Sequence, residues 1–271
     1  MDELRIQKIK AIKEIVDTSI KSFVDGFEGR YETEVTMDTG VINQKKNNVF
    51  ISELGEEFMF YSAFVRSFDS SFGRQLERIG NSIAKLSYDV RNGIESYILP
   101  QQKQHIDYLM TSYDNKETPQ VEDYCEFSSV QPRNTSSYEY KHETDNYFYD
   151  PENKIHYVIE LKAGGDLDIK KAKSEKIALL NEYFLLKNKI RLTDETVIIK
   201  FATAYNKFGE GNEWKQHQVR RYFDEKELLI GKDYWNFVCK EPNGFEIVFE
   251  QYRESAKYIK DALERIKNMY F

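Results

Sequence analysis

Glu160 and Lys162 flank a single leucine at the end of the run Ile155–Leu161, Ile-His-Tyr-Val-Ile-Glu-Leu. Strand side chains alternate, so residues two apart share a face and these two charges point the same way. Upstream, Pro151-Glu152-Asn153-Lys154 is a turn signal between two extended runs. It predicts a hairpin of residues 141–149 and 155–162, centred between Glu152 and Asn153. Reflection about that centre sets Asp145 opposite Glu160, with Cβ atoms roughly 5 Å apart. Two carboxylates at that separation repel each other unless a cation sits between them. Hard oxygen donors with open positions suit Mg2+, which keeps waters and meets substrate phosphates. Lys162 beside them would orient or deprotonate an attacking water. The chemistry in outline is phosphodiester hydrolysis.

The same residues have a plainer reading. An acid and a base around one leucine are common at solvated strand rims, and 31% of this chain is charged. Three features favour the site. The strand before the charges is apolar, so they sit at a carboxyl end, where open α/β sheets place their sites. An acidic residue occurs at the position the hairpin demands. Ala163-Gly164-Gly165 then permits close approach of a backbone or ligand. Asp150, which precedes Pro151, is the rival first carboxylate, but it falls in the turn, off the face of Glu160.

The elements that must hold these residues read as α/β with much helix at both ends. Thr196–Thr203 is a second strong strand, and Asp166–Lys189 between the strands is a helix. A crossover of that length implies a parallel pair. Before the hairpin, residues 2–25 read as an amphipathic helix, with Leu4, Ile9, Ile12, Ile15, Val16, Ile20 and Phe23 at helical spacing. Gly26, Gly29 and Gly40 break residues 25–48 into short pieces. A helical block from Ser52 to Tyr88 is interrupted at Asp69-Ser70-Ser71, which caps Phe72–Leu86. A third helical stretch spans residues 90–109, and a strand lies around Val121–Phe127. Helices at Lys232–Val238 and Phe245–Tyr270 close the chain. No linker divides it, so it reads as one domain. Within that domain, residues 1–110 are mainly helical, 111–240 form a catalytic α/β core and 241–271 a C-terminal helix.

Composition removes several classes. The 271 residues carry 39 Lys plus Arg against 46 Asp plus Glu, a net charge of −7, so no basic coat covers the surface. Two cysteines make neither a disulfide scaffold nor a four-cysteine zinc site. No apolar run approaches the ~20 residues that span a bilayer, and the start Met1-Asp2-Glu3-Leu4 is unlike a signal peptide. A cytoplasmic protein is expected, with no membrane partner. No Walker loop or dinucleotide fingerprint is present, so no small-molecule cofactor is expected.

Asp145 with Glu160-Leu161-Lys162 resembles the signature of the PD-(D/E)xK nuclease superfamily, and the order strand, strand, helix, strand resembles its common core. Within it the chain is similar to type II restriction endonucleases, most of all the TdeIII-like group. The phrases that carry this are Arg66-Ser67-Phe68-Asp69-Ser70-Ser71-Phe72-Gly73, Ile159–Gly164, Tyr205-Asn206 and Leu229–Phe237 (Leu-Ile-Gly-Lys-Asp-Tyr-Trp-Asn-Phe). One departure is that Thr144, not proline, precedes Asp145. The resemblance implies a restriction-endonuclease-like core, a central mixed sheet flanked by helices. It implies Mg2+-dependent, sequence-specific hydrolysis of double-stranded DNA to 5′-phosphate ends, with a target of the interrupted GGNCC type. Asp145 and Glu160 would bind metal, and Glu77 would add a carboxylate from a neighbouring helix. A two-fold symmetric target calls for a homodimer.

DNA contacts have two candidate sources. Lys170, Lys171, Lys173 and Lys176 crowd the first turns of the helix after the catalytic strand, against the helix dipole. That placement suits phosphate contact. The loop Tyr205–Arg221 carries the densest run of base-reading donors: Asn206, Lys215, Gln216, Gln218, Arg220 and Arg221. Tyr234, Trp235 and Phe237 read as core. Two other functions remain open at this point, a structure-specific repair or recombination nuclease and a non-catalytic DNA-binding module.

Overall fold

The computed structural model describes residues 3–37, 39–40, 42–127, 138–142, 146–164 and 166–271. They divide into two compact units, Met1–Ser82 with Glu246–Phe271, and Ile83–Phe245.

The first unit is helical: α1 (Glu3–Thr36), a 3-10 turn (Asn43–Asn47), α2 (Val49–Ser52), most of α3 (Glu56–Ala84) and the length of the final helix beyond Phe245. Helix α1 does not stop at Asp25, as the glycines suggested; it runs through Gly26 and Gly29 to Thr36. Helix α3 is likewise unbroken at Asp69-Ser70-Ser71. Both corrections have one cause. Phe60, Phe64, Phe68 and Phe72 recur every four residues, with ring centroids 5.4–6.3 Å apart. Phe23, Phe27 and Tyr31 of α1 pack against that ladder, as in Phe27–Phe68 at 5.5 Å and Tyr31–Phe64 at 5.1 Å. A mid-helix glycine costs about 0.5–1 kcal/mol, less than the roughly 1.5–3 kcal/mol from burying one such side chain. Packing wins over the local breaker, and Asp69 and Ser70 are left on the outer side of a continuous helix instead of capping a new one.

The second unit holds the sheet. Residues 90–109 are not one helix. They give β1 (Asp89–Arg91), β2 (Ile94–Ile98) and then α4 (Pro100–Asp114), which Pro100 starts because its missing N–H is unpaired there in any case. Residues 121–127 are not a strand but contain a short helix, α5 (Glu122–Cys125). β3 (Tyr138–His142) pairs with β2 in a separate two-stranded sheet, so the strand expected over 141–149 is shorter than its pattern. β4 (Asn146–Asp150) and β5 (Ile155–Lys162) form the hairpin. α6 (Ile169–Lys189) follows, capped by Asp168, whose side chain accepts from the Lys171 amide at 2.8 Å.

Strand β6 (Thr196–Thr203) lies parallel to β5, as the crossover required. After α7 (His217–Arg220) and a 3-10 turn (Glu225–Glu227), β7 (Leu228–Ile230) adds a parallel edge to β6. Helices α8 (Lys232–Cys239) and α9 (Gly244–Tyr270) end the chain. The five-stranded sheet has the order β1-β4-β5-β6-β7 and is mixed. Helix α6 packs on the face carrying Tyr147, Val158, Val197, Ile199 and Phe201, using Leu179, Leu180 and Tyr183. Phe148 and Tyr157 point to the opposite face, where they meet Tyr88 and Phe237. The result is a mixed sheet flanked by helices, as expected.

Candidate active site

Strand β5 delivers Glu160 and Lys162 to the face covered by α6, because both share the parity of buried Val158. The Lys162 ammonium lies 2.5 Å from Glu160 Oε1 and 3.0 Å from Glu175 Oε1. All three side chains are half-buried at the carboxyl end of the strand. Burial pulls the Lys162 ammonium down, but Glu160 and then Glu175 outweigh it and hold the group above its ordinary value. Lys162 is therefore charged at neutral pH.

Sequence spacing does not single out Glu175. A signal was present: Ala172, Leu179 and Tyr183 form the stripe of α6 that packs on the sheet, and Glu175 falls on it. A carboxylate on a core-facing stripe needs a partner. Only the fold supplies Lys162.

The hairpin register matches the reflection. Pairs run from Asp150 opposite Ile155 to Asn146 opposite Ile159, the register that the counting gives. Asp145 itself lies outside the described residues. Its rival, Asp150, is committed to the turn. It accepts from the Glu152 and Asn153 amides and the Asn153 side chain, and pairs with Lys240 at 3.1 Å. Burial raises its carboxyl, yet Asn153 and Lys240 together bring it below its ordinary value. Asp150 is a turn anchor. Glu77 sits half-buried on α3 in the first unit, on an element separate from the sheet.

The expected DNA contacts divide in two. Lys170, Lys171, Lys215 and Gln218 are exposed. The others are held within the protein. Lys173 pairs with Asp114 at 2.6 Å. Lys176, expected among the phosphate-facing lysines, is instead fully buried and bonded to Glu227 at 2.5 Å. Asn206 is buried and shapes its loop, donating to Asn212 O at 2.8 Å and accepting from the Phe208 amide at 3.0 Å. Gln216 donates to Asp166 at 3.0 Å, beside the Lys207–Asp166 pair at 2.8 Å. Arg220 donates to Trp214 O at 2.9 Å and pairs with Glu225. Arg221 donates to Tyr113 O at 3.1 Å and to Asp114 O. Tyr234 and Trp235 are core, as read.

The loop after β5 and the loop after β6 are joined. Ala204 N donates to Lys162 O at 3.1 Å, and Tyr205 N to Ala163 O at 3.2 Å. A Cβ on Gly164 would stand 2.4 Å from the Tyr205 hydroxyl, so the glycine is what lets that ring cross.

A charged lysine between two carboxylates, at the end of a buried parallel strand, is an arrangement that many folds could present. The whole chain decides the matter: the family model for the type II restriction endonuclease HinfI matches residues 7–256. The chain belongs to the HinfI family. No curated protein and no solved structure matches it. As a HinfI-family member it is a type II restriction endonuclease, a nuclease of double-stranded DNA. The match spans both units, so the helical first unit is as much part of the family pattern as the sheet. Among the described residues, no helix is long and apolar enough to cross a membrane.

Proposed function

We propose that this HinfI-family chain cuts DNA with a PD-(D/E)xK site, in which Asp145 and Glu160 hold Mg2+ and Lys162 serves the attacking water. The observation that supports it is the meeting of Glu160 and Glu175 on one half-buried ammonium, Lys162. Among the described residues, no group of three or more His, Cys, Asp and Glu side chains is arranged to hold a metal. The donor set nevertheless fits one. Two hard carboxylates already converge on a cation, and counting along the hairpin sequence sets Asp145 opposite Glu160. Mg2+ bound there would offset charge on the scissile phosphate and acidify a water.

The chain's own residues do the rest. Lys162, charged at neutral pH, holds a proton at Nζ and donates hydrogen bonds. It orients the attacking oxygen and stabilises negative charge growing on the phosphate. Glu175 gives that ammonium a second carboxylate besides Glu160. Lys170, Lys171, Lys215 and Gln218 are the exposed donors left to meet DNA. Lys173, Asn206, Gln216, Arg220 and Arg221 shape the surface that presents them. A palindromic target offers two equivalent strands, for which two copies of the chain would each supply one site.

Digestion of a plasmid with and without Mg2+, followed by mapping of the ends, tests this. Discrete fragments with 5′-phosphates that require Mg2+ and vanish in Lys162→Ala are expected. Unimpaired cutting by Lys162→Ala refutes the site. The mapped ends also read the target, for which the sequence resemblance gives GGNCC.

A further inference from the structure

The first unit contains a cleft of about 280 Å3 lined by Ser22, Gly26, Arg30, Ser71, Arg74 and Arg78, with Phe23, Phe27 and Gln75 as its apolar and polar floor. No carboxylate lines it. Three arginines elsewhere pair with carboxylates: Arg91 with Asp89, Arg220 with Glu225 and Arg265 with Glu28. Among the described residues, Arg30, Arg74 and Arg78 have no such partner. Arg30 and Arg74 are positioned by neutral groups instead. Arg30 lies over the rings of Phe27 and Tyr31, at 5.2 and 5.6 Å, and donates to the Ser71 hydroxyl at 3.0 Å. Arg74 donates to Ser70 at 3.3 Å and reaches Ser71 at 3.5 Å.

One detail points to an anionic ligand. The Arg30 Nε is buried with no acceptor, a state that proteins avoid unless a ligand completes it. A Cβ on Gly26 meets nothing within 4 Å, so a side chain can be placed at the cleft without a clash. Guanidinium forks match phosphate oxygens in pairs, which an ammonium does not.

We propose that this cleft is a phosphate-binding site that takes a phosphodiester of the DNA backbone. It rests on the family's action on DNA but not on the assignment of Asp145, Glu160 and Lys162. It positions the duplex and reads no bases.

The test is the salt dependence of binding to a labelled duplex of mixed sequence, in chelator so that nothing is cut. Arg74→Gln/Arg78→Gln and, independently, Gly26→Glu, which keeps every arginine, are compared with the unaltered chain. Each phosphate that the protein ceases to neutralise lowers the steepness of the log–log salt plot by about 1. Flatter plots are therefore expected in both variants, with the helical circular dichroism retained. Lys162→Ala, which removes an ammonium already paired with two carboxylates, should leave the slope of the plot unchanged even if it displaces the plot a few-fold, which keeps this site distinct from the proposed catalytic one. Unchanged plots in both cleft variants overturn the proposal. So does a second result: unchanged plots with loss of a thermal stabilisation by inorganic phosphate, which assigns the cleft to a free anion and not to DNA.

Discussion

Glu175 and Lys176 are neighbours in α6, yet their charges are committed to different parts of the fold. Glu175 reaches Lys162 on β5, and Lys176 reaches Glu227 beside β7. One step of the helix thus fixes a buried ion pair on one side and a carboxylate of the candidate site on the other. The packing of Leu179, Leu180 and Tyr183 on the sheet presents both side chains, Lys176 to Glu227 and Glu175 to Lys162.

Lys162→Met is expected to cost at least about 100-fold in cleavage rate, the lower range for loss of a group acting on a proton in flight. Affinity for DNA in chelator should change only a few-fold, because the ammonium is half-buried and already paired. Single-turnover cutting read beside anisotropy separates the two. A parallel fall in both would mean that Lys162 supports the fold or the DNA surface and not the chemistry.

Glu175→Gln should slow cutting by about 10–100-fold, the usual effect of removing a group that orients a site residue. The sign of the pH effect follows from Lys162. Glu160 and Glu175 hold its ammonium above the ordinary value against burial, so removing one negative charge lowers that value. The alkaline limb of the rate profile should move to lower pH. A uniform drop with no displacement of the limb would leave Glu175 a merely structural role.

Lys176 is fully buried, and desolvation pulls its ammonium below the ordinary value against the attraction of Glu227. Glu227 also accepts from the Tyr124 hydroxyl at 2.8 Å and the Asp224 amide at 2.8 Å. Lys176→Met strands that carboxylate, at a cost of about 3–5 kcal/mol. Adding Glu227→Gln should recover some of the loss, since the buried charge is then gone. Urea unfolding of both singles and the double gives the coupling. Additive losses would show that the pair makes no joint contribution.

His156 gives a stability slope with pH. It is buried on β5, 2.8 Å from the Tyr147 hydroxyl through Nδ1, and its Nε2 lies 3.3 Å from Glu195, poorly aligned for a hydrogen bond. Burial holds the imidazole below its ordinary value of 6.5 in spite of Glu195. The unfolded chain therefore binds more protons in the window just under 6.5. Its contribution to stability is intact above that value and is lost as pH falls towards the folded one. His156→Gln should flatten the fall in thermal midpoint between about pH 7 and about pH 5. An equal fall in both proteins would place the slope elsewhere.

The hairpin was legible from sequence because its information is local. Pro151–Lys154 marks the turn, alternation marks the strands, and the observed register follows from counting. Strand β6 and helix α6 were readable for the same reason. The errors fall where a distant partner overrules a local signal. Gly26, Gly29 and Asp69–Ser71 look like breaks until the phenylalanines of α1 and α3 are stacked together. Residues 94–98 look helical until β3 offers them a ladder. Glu175 and the buried state of Lys176 depend on where α6 rests on the sheet, which no spacing within the helix states.

Asp166 receives both Lys207 and Gln216 from the segment after β6, while Gly164 makes way for Tyr205. Those crossings make residues 162–166 and 204–216 one inseparable cassette. An engineer who transplants the second stretch alone also removes the partners that hold the stem carrying Lys162. Moving either stretch intact requires moving both together.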